Sequence, residues 1–402
     1  MLNKYTFVKS TLFILIIVYF LQGLIYPSGS IISQSVLALY LVICLYYFVK
    51  VTLLKKKNPF TISLIIFLLM IVFYYLISSK VHVKYDGESV NTFSYLKGVL
   101  FAFLSFFSFY FLAKNNHLKS KDIIIFFYVF GIITIGRFFF YQALLQGENV
   151  AYSMENYDTV NNAAYDILSL FPFALLISNR KIYSNILSLF FFLVIMLSLK
   201  RGAILTAGLI LLIYFLYIIK STRKIKFSNY LLVIIFLLAS TYFIYYFFIT
   251  NEFFQYRFLS LLEGGYSNRD ILYSQIFNFW KNSGNFINLI FGYGLWSSIE
   301  IAGNAAHNDW LELLSNCGIM GVLIYLSLFY CLYISMKKTK ELDKKFMLLM
   351  ILIIWFMKTL FSMAYMEMNM APLMILLGYI YGNEELNNNM NIISNKNLSI
   401  YD

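Results

Sequence analysis

His307 is one of three histidines in the chain, and it opens the run His307-Asn308-Asp309-Trp310-Leu311-Glu312-Leu313-Leu314-Ser315-Asn316-Cys317-Gly318-Ile319-Met320-Gly321. An imidazole is the side chain best suited to taking up a proton near neutral pH. Helical spacing sets His307, Leu311, Leu314 and Gly318 on one face, with the ring at the rim of whatever bundle the helix joins. His82 and His117 stand near lysines in ordinary loops and are poorer candidates. Two arginines occupy marked positions. Arg201 sits in the turn Lys200-Arg201-Gly202 between two apolar runs. Arg269 falls in Ser267-Asn268-Arg269-Asp270, whose Ser267 and Asp270 have the spacing of a capping box. That places Arg269 in the first turn of a helix running to about Lys281, where free backbone N–H groups favour anions. Lys97, Arg137 and Lys358 lie inside apolar runs, where a charge is costly unless it is paired or faces water. Glu155, Asp158, Asp166 and Glu367 are acids at a level to neutralise some of these cations. The remaining positive charge, at a hydrophobic–aqueous boundary, suits a lipid-linked phosphate or diphosphate. Each cation also admits a plainer reading: snorkelling for Lys200 and Arg201, a headgroup contact for Arg269.

The elements that must carry these groups follow from composition. The chain has 402 residues, of which 61% are hydrophobic, 20% aromatic and 12% charged. Soluble proteins hold about 25% charged residues, so this chain lacks the polar surface for a water-soluble fold of its size. It reads as an all-α polytopic membrane protein. Twelve spans are predicted, at roughly 7–25, 31–49, 60–78, 93–113, 123–145, 163–178, 185–199, 203–219, 230–249, 319–336, 346–365 and 371–382. The expected organisation is helices over 1–249, a long outer loop with short helices over 250–318, helices again over 319–382 and a tail over 383–402. With the N-terminus inside and strict alternation, 21 of the 31 basic residues fall on cytoplasmic segments. That bias is what the positive-inside rule requires; it sets both termini in the cytoplasm and makes a nucleic-acid partner unnecessary to explain the net charge of +12.

Two connections are longer than a compact bundle needs: the acidic outer segment 146–162, and the stretch from Asn251 to Gly318, rich in Trp, Phe, Tyr and Gly and therefore expected to fold. Phe291-Gly292-Tyr293-Gly294 within it is a turn where backbone can approach a ligand or another helix. Gly318 and Gly321 let the following helix end or pack closely. Cys44, Cys317 and Cys331 lack metal-ligand spacing, and the outer loops hold no Asp-x-Asp pair, only Asp86-Gly87-Glu88.

His307-Asn308, nine residues, Gly318, two residues and Gly321 fit the H-[NSQ]-x9-G-x-x-G pattern of O-antigen ligases and of the related O-antigen polymerases of the Wzy type. The dozen spans, the long outer loop before the motif, Arg201-Gly202 at a span boundary and Arg269 opening the loop helix are similar too. The chain resembles that superfamily in topology along its whole length, and in specific residues over about 198–321. The resemblance implies a GT-C-like, metal-independent, inverting glycosyltransferase at the outer face of the bacterial plasma membrane. It needs no cofactor and no nucleotide sugar; its donor is a glycan on undecaprenyl diphosphate, and a chain-length regulator is a candidate partner. The motif histidine maps to His307 as general base, and the two arginines of the family map to Arg201 and Arg269 as diphosphate ligands. Lys200 and Arg137 are added from the residue reading, with Lys97 and Asn308 behind them. The aromatic-rich texture and modest loop favour the polymerase over the ligase, which transfers its glycan to lipid A–core. Other classes remain: a lipid-linked oligosaccharide flippase, which expects paired halves and short outer loops, and a polyprenyl-monophosphate-sugar transferase with a metal on Asp86 and Glu88.

Overall fold

The computed structural model describes residues 4–147, 161–177, 181–198, 200–221 and 269–398, with scattered positions between 241 and 259. Most of the predicted span 230–249, the interior of the acidic segment 146–162 (with Glu155 and Asp158) and Ser267 lie outside the described residues. In chain order the helices are α1 (Lys4–Phe20), α2 (Ile31–Thr52), α3 (Pro59–Ile77), α4 (Thr92–Lys114), α5 (Ser120–Gly147), α6 (Ala164–Leu168), α7 (Phe171–Ala174), α8 (Lys181–Leu197), α9 (Arg201–Ser221), α10 (Arg269–Lys281), α11 (Phe286–Phe291), α12 (Ser297–Ala302), α13 (Asp309–Lys338), α14 (Leu342–Phe361) and α15 (Met370–Leu398). A two-stranded hairpin, β1 (Val81–Val83) and β2 (Ser89–Asn91), joins α3 to α4. By length and composition α2, α3, α4, α5, α9 and α13 can each cross a bilayer, and the shorter apolar stretches 164–177 and 182–197 accompany them. The protein is an all-α, multi-pass membrane protein. The predicted span 163–178 is a broken segment, two short helices and a 3-10 turn with Pro172 at the start of α7, and nearly all of it is buried.

The helix starts obey local chemistry. Asn58 accepts the Thr61 N–H at 2.8 Å ahead of Pro59, and Asn91 accepts the Phe93 N–H at 2.8 Å. Helix α4 is the axis of the bundle and is buried on nearly every face, as its all-round apolar sequence demands. Helix α15 lies against it backbone to backbone, because Gly378 and Gly382 present no side chain there. A Cβ on Gly378 would fall 2.5 Å from the Phe106 carbonyl oxygen, and one on Gly382 2.4 Å from that of Tyr110.

Site-bearing ends gather on one side. The hairpin meets the loop helices there: the Tyr85 N–H donates to the Gly303 carbonyl at 2.9 Å, and His82 Nδ1 lies 2.8 Å from Glu300 Oε1. Asp86 Oδ1 accepts the Glu88 N–H at 3.1 Å, so this acidic pair closes the hairpin turn. Among the described residues no three His, Cys, Asp or Glu side chains come together as a metal site.

Helix α13 starts at Asp309, ten residues before the predicted span at 319, and it bends at Gly318, whose φ is +63°. The bend leaves carbonyls of the preceding turn without helical partners, and the Gly292-Tyr293-Gly294 turn supplies them. The Tyr293 N–H donates to Ser315 at 2.8 Å and the Gly294 N–H to Asn316 at 2.9 Å. From α3, the Tyr74 hydroxyl donates to the Phe291 carbonyl at 2.6 Å. The two backbones touch: a Cβ on Gly318 would lie 2.3 Å from the Ile290 carbonyl oxygen, and one on Gly292 2.5 Å from the Asn316 carbonyl carbon. Of the two partners open to that turn from sequence, the structure supplies another helix. Gly318→Ala should therefore lower stability by roughly 2–5 kcal/mol, from the left-handed backbone and the overlap together. Thermal unfolding of the detergent-purified protein measures the loss, and Gly208→Ala, with open space around its Cβ position, is the matched control.

Candidate active site

Arg201 is the first residue of α9, and its neighbour Gly202 explains how closely that helix end is approached. A Cβ at Gly202 would sit 2.7 Å from both the Phe361 Cβ and the Tyr165 hydroxyl oxygen. Arg269 opens α10, and its Nη1 donates to the same Phe361 through the carbonyl oxygen at 3.0 Å. Phe361 ends α14, so the guanidinium meets the negative end of that helix. The two arginines are close enough that their charges act on one another. Among the described residues neither has an ion-pair partner.

His307 belongs to the loop that leads into α13. Contrary to the sequence expectation, it shares no helical face with Leu311, Leu314 and Gly318: it precedes the helix and has φ +51°. Asn308 is the N-cap, its Oδ1 accepting the Trp310 and Leu311 N–H groups at 3.0 and 3.2 Å. The uncommon backbone at His307 is held from both sides. Ahead of it, the Ala306 N–H donates to Glu312 Oε2 at 2.9 Å; behind it, Trp310 Nε1 donates to Thr359 Oγ1 on α14 at 2.9 Å. Tyr273, one turn after Arg269 on α10, joins the two halves of the site. Its hydroxyl points at the His307 carbonyl at 3.5 Å and is within hydrogen-bonding reach of Arg269 and Asn308. Burial pushes the Tyr273 phenol up, against the pull of the Arg269 charge.

Glu312 is fully buried and saturated with donors: Ser298 Oγ at 2.9 Å and Asn316 Nδ2 at 3.0 Å reach Oε1, besides the Ala306 N–H on Oε2. Asn316 also accepts from Ser297 and donates to Tyr95, which is 2.5 Å from the Tyr365 hydroxyl. This network ties α12, α13 and α4 together behind the histidine.

Arg137, Lys358 and Lys200, the other cations that the structure pairs, have partners. Arg137 is buried with Asp166 at 3.3 Å and stands over the Phe20 and Tyr141 rings. Lys358 pairs with Glu367 at 2.6 Å and donates to Asn369, while the Ser362 hydroxyl donates to Glu367 at 2.6 Å. Burial works to raise the Glu367 carboxyl, but the Lys358 ammonium and these hydrogen bonds outweigh it and hold the group low. Lys200 donates to Asn162 Oδ1 at 2.7 Å, and its ammonium lies 5.9 Å from the Tyr165 ring centroid. Lys97 is half-buried on α4, and among the described residues no contact joins it to Arg201, Arg269 or His307. The structure thus brings Arg201, Arg269, His307 and Asn308 to the last turn of α14, with Lys200 at the edge and Arg137 behind, on Asp166.

Residues 186–326 match the family model described as O-antigen ligase. This stretch of the chain is a domain of the O-antigen polymerase and ligase superfamily. It is a superfamily of glycosyl-transfer enzymes, and the domain contains Arg201, Arg269, His307 and the Gly318 bend. Thr359, Phe361 and the Lys358–Glu367 pair lie beyond it. No curated protein matches the chain.

Tyr273, Glu312 and the end of α14 were not singled out from sequence. Glu312 carried a readable signal, as an acid between Leu311 and Leu313 in an apolar helix; Phe361 acts through its carbonyl, which no residue type announces. For the buried pair, Lys358→Met should cost about 3 kcal/mol by leaving the Glu367 charge unmatched, and adding Glu367→Gln should recover most of it. Thermal unfolding of the two variants makes the comparison.

Proposed function

We propose that the protein is a polysaccharide polymerase. It transfers a glycan from undecaprenyl diphosphate to a hydroxyl of an incoming lipid-linked repeat unit, at the outer face of the bacterial plasma membrane. The observation that carries this reading is the placement of Arg201 and Arg269, without carboxylate partners among the described residues, against one helix end whose neighbouring turn also holds the His307 loop. Two like charges kept together call for an anion, and two guanidiniums fit the oxygens of a diphosphate. The outward assignment is supported by the helix ends opposite the site, which carry Lys50, Lys55, Lys56, Lys57, Lys114, Lys220, Lys337 and Lys338, the side expected to face the cytoplasm along with both termini.

In the proposed reaction His307 takes the proton of the acceptor hydroxyl as its oxygen attacks the anomeric carbon. The bond from that carbon to the phosphate oxygen breaks, and undecaprenyl diphosphate leaves. Arg201 and Arg269 stabilise the charge growing on the departing oxygen. One displacement inverts the anomeric centre, and the guanidiniums do the electrostatic work a divalent cation would otherwise do. A second reading, transfer of the glycan to lipid A–core, is favoured by the description of the matching family model as an O-antigen ligase.

The test is extension of purified undecaprenyl-diphosphate repeat units by the purified protein. Long chains should form with chelator present and lipid A–core absent; a requirement for lipid A–core would establish the ligase instead, and no glycan transfer at all would refute both. In cells, His307→Ala, Arg201→Ala and Arg269→Ala should each lower transfer by about 10²–10⁴-fold at unchanged protein level, collapsing the ladder of long polysaccharide to single units. A retained ladder in the His307→Ala strain removes the histidine from the mechanism.

A further inference from the structure

A concavity lies on the outer loop, further along the helix that Arg269 opens. Its volume is about 770 Å³, within the range of small-molecule sites, and it is formed by α10, the turn after it, α11, Tyr293 and α12. Its lining is amides and aromatic rings. Gln275, Asn278, Asn282 and Asn288 contribute four side-chain amides, and Phe279 and Tyr293 contribute two rings packed 5.1 Å apart, with Phe279 half exposed. No charged side chain lines it, in a chain of net charge +12. None of the four amides has a hydrogen-bond partner among the described residues. Asn285, by contrast, spends its side chain capping α11, accepting the Ile287 N–H at 2.9 Å.

A primary amide offers two donors and an acceptor on one flat group, which is the complement of a hydroxyl that both gives and accepts. Exposed aromatic faces cover the C–H surface of a sugar ring. A neutral rim of amides around aromatic rings therefore selects a polyhydroxylated, uncharged ligand over a phosphate or an acidic peptide. Position agrees with composition. Arg269 and Tyr273 lie on the flank of α10 that faces the site, whereas Gln275, Asn278 and Phe279 lie on another flank further along, about 9–20 Å beyond Arg269 at 1.5 Å per residue out to Asn282. Ile301 on the far wall is six residues before His307.

We propose that this groove is a glycan-binding subsite that holds sugar residues remote from the reacting bond. It rests on the glycosyl-transfer reading above and adds where the non-reacting part of the oligosaccharide sits. Binding there raises the local concentration of the chain at the site, so the groove governs affinity and chain length and takes no part in bond making.

The test uses full-length protein in detergent and, as probe, the water-soluble repeat-unit oligosaccharide released from its lipid diphosphate by mild acid. Wild type should bind it, and His307→Ala should bind it equally. Phe279→Ala and the double variant Asn278→Ala/Asn282→Ala should bind at least tenfold more weakly while unfolding at wild-type temperature. In the extension assay the groove variants should raise the KM for the lipid-linked repeat with kcat little changed, and their ladder should shift to short chains without collapsing to one unit. Failure of the wild type to bind the released glycan, or groove variants that bind and extend like wild type, overturns the subsite. Glycan binding without any extension by wild type would retain the subsite and refute the polymerase reading.

Discussion

The final turn of α14 is where the molecule's functional geometry is decided. Three segments far apart in sequence end on it: Gly202 of α9 against the Phe361 side chain, Arg269 of α10 on the Phe361 carbonyl, and Trp310 of α13 on the Thr359 hydroxyl. A helix C-terminus has carbonyls to spare, and here one of them receives a guanidinium. Through these approaches the arginines and the histidine loop occupy one neighbourhood. Upstream of this convergence stands the crossing of Gly292 over Gly318, which anchors the long loop on the bend of α13 and allows α10 to reach α14.

Charge is distributed with similar economy. Asp166 and Glu367 both face the bundle close to this turn, and each is engaged by a cation from within an apolar helix, Arg137 or Lys358. Burying those ions is tolerable only as pairs. Their pairing engages both carboxylates with Arg137 and Lys358, and neither forms an ion pair with Arg201 or Arg269 among the described residues. Glu312 answers a different need. Saturated by donors from α12, α13 and the Ala306 backbone, it makes the left-handed conformation of His307 affordable.

Much of this was legible in the residues. The spans followed from runs of apolar side chains, because in a bilayer every backbone group must be satisfied within its own helix. Eleven of the twelve predicted spans fall on helical segments, and the other, 230–249, is described only at scattered positions. Arg201, Arg269 and His307 stood out because arginines at the rim and a lone imidazole after a long loop are hard to explain by packing. What could not be read was the register of α13. Helical periodicity continued through His307 in the sequence, but the Asn308 cap ends the helix one residue short of it, and the Gly318 bend redirects the rest. The partners of Arg137 and Lys358 were narrowed to four acids but not assigned, since pairing depends on how α5, α6 and α14 are rotated. The contribution of α14 was invisible, because a carbonyl and a ring edge do the work.

One consequence concerns motion. Since Arg269 grips the main chain of Phe361 and Gly202 abuts the side chain of that same residue, the starts of α9 and α10 share one residue as their common footing, and displacing the end of α14 would disturb both at once.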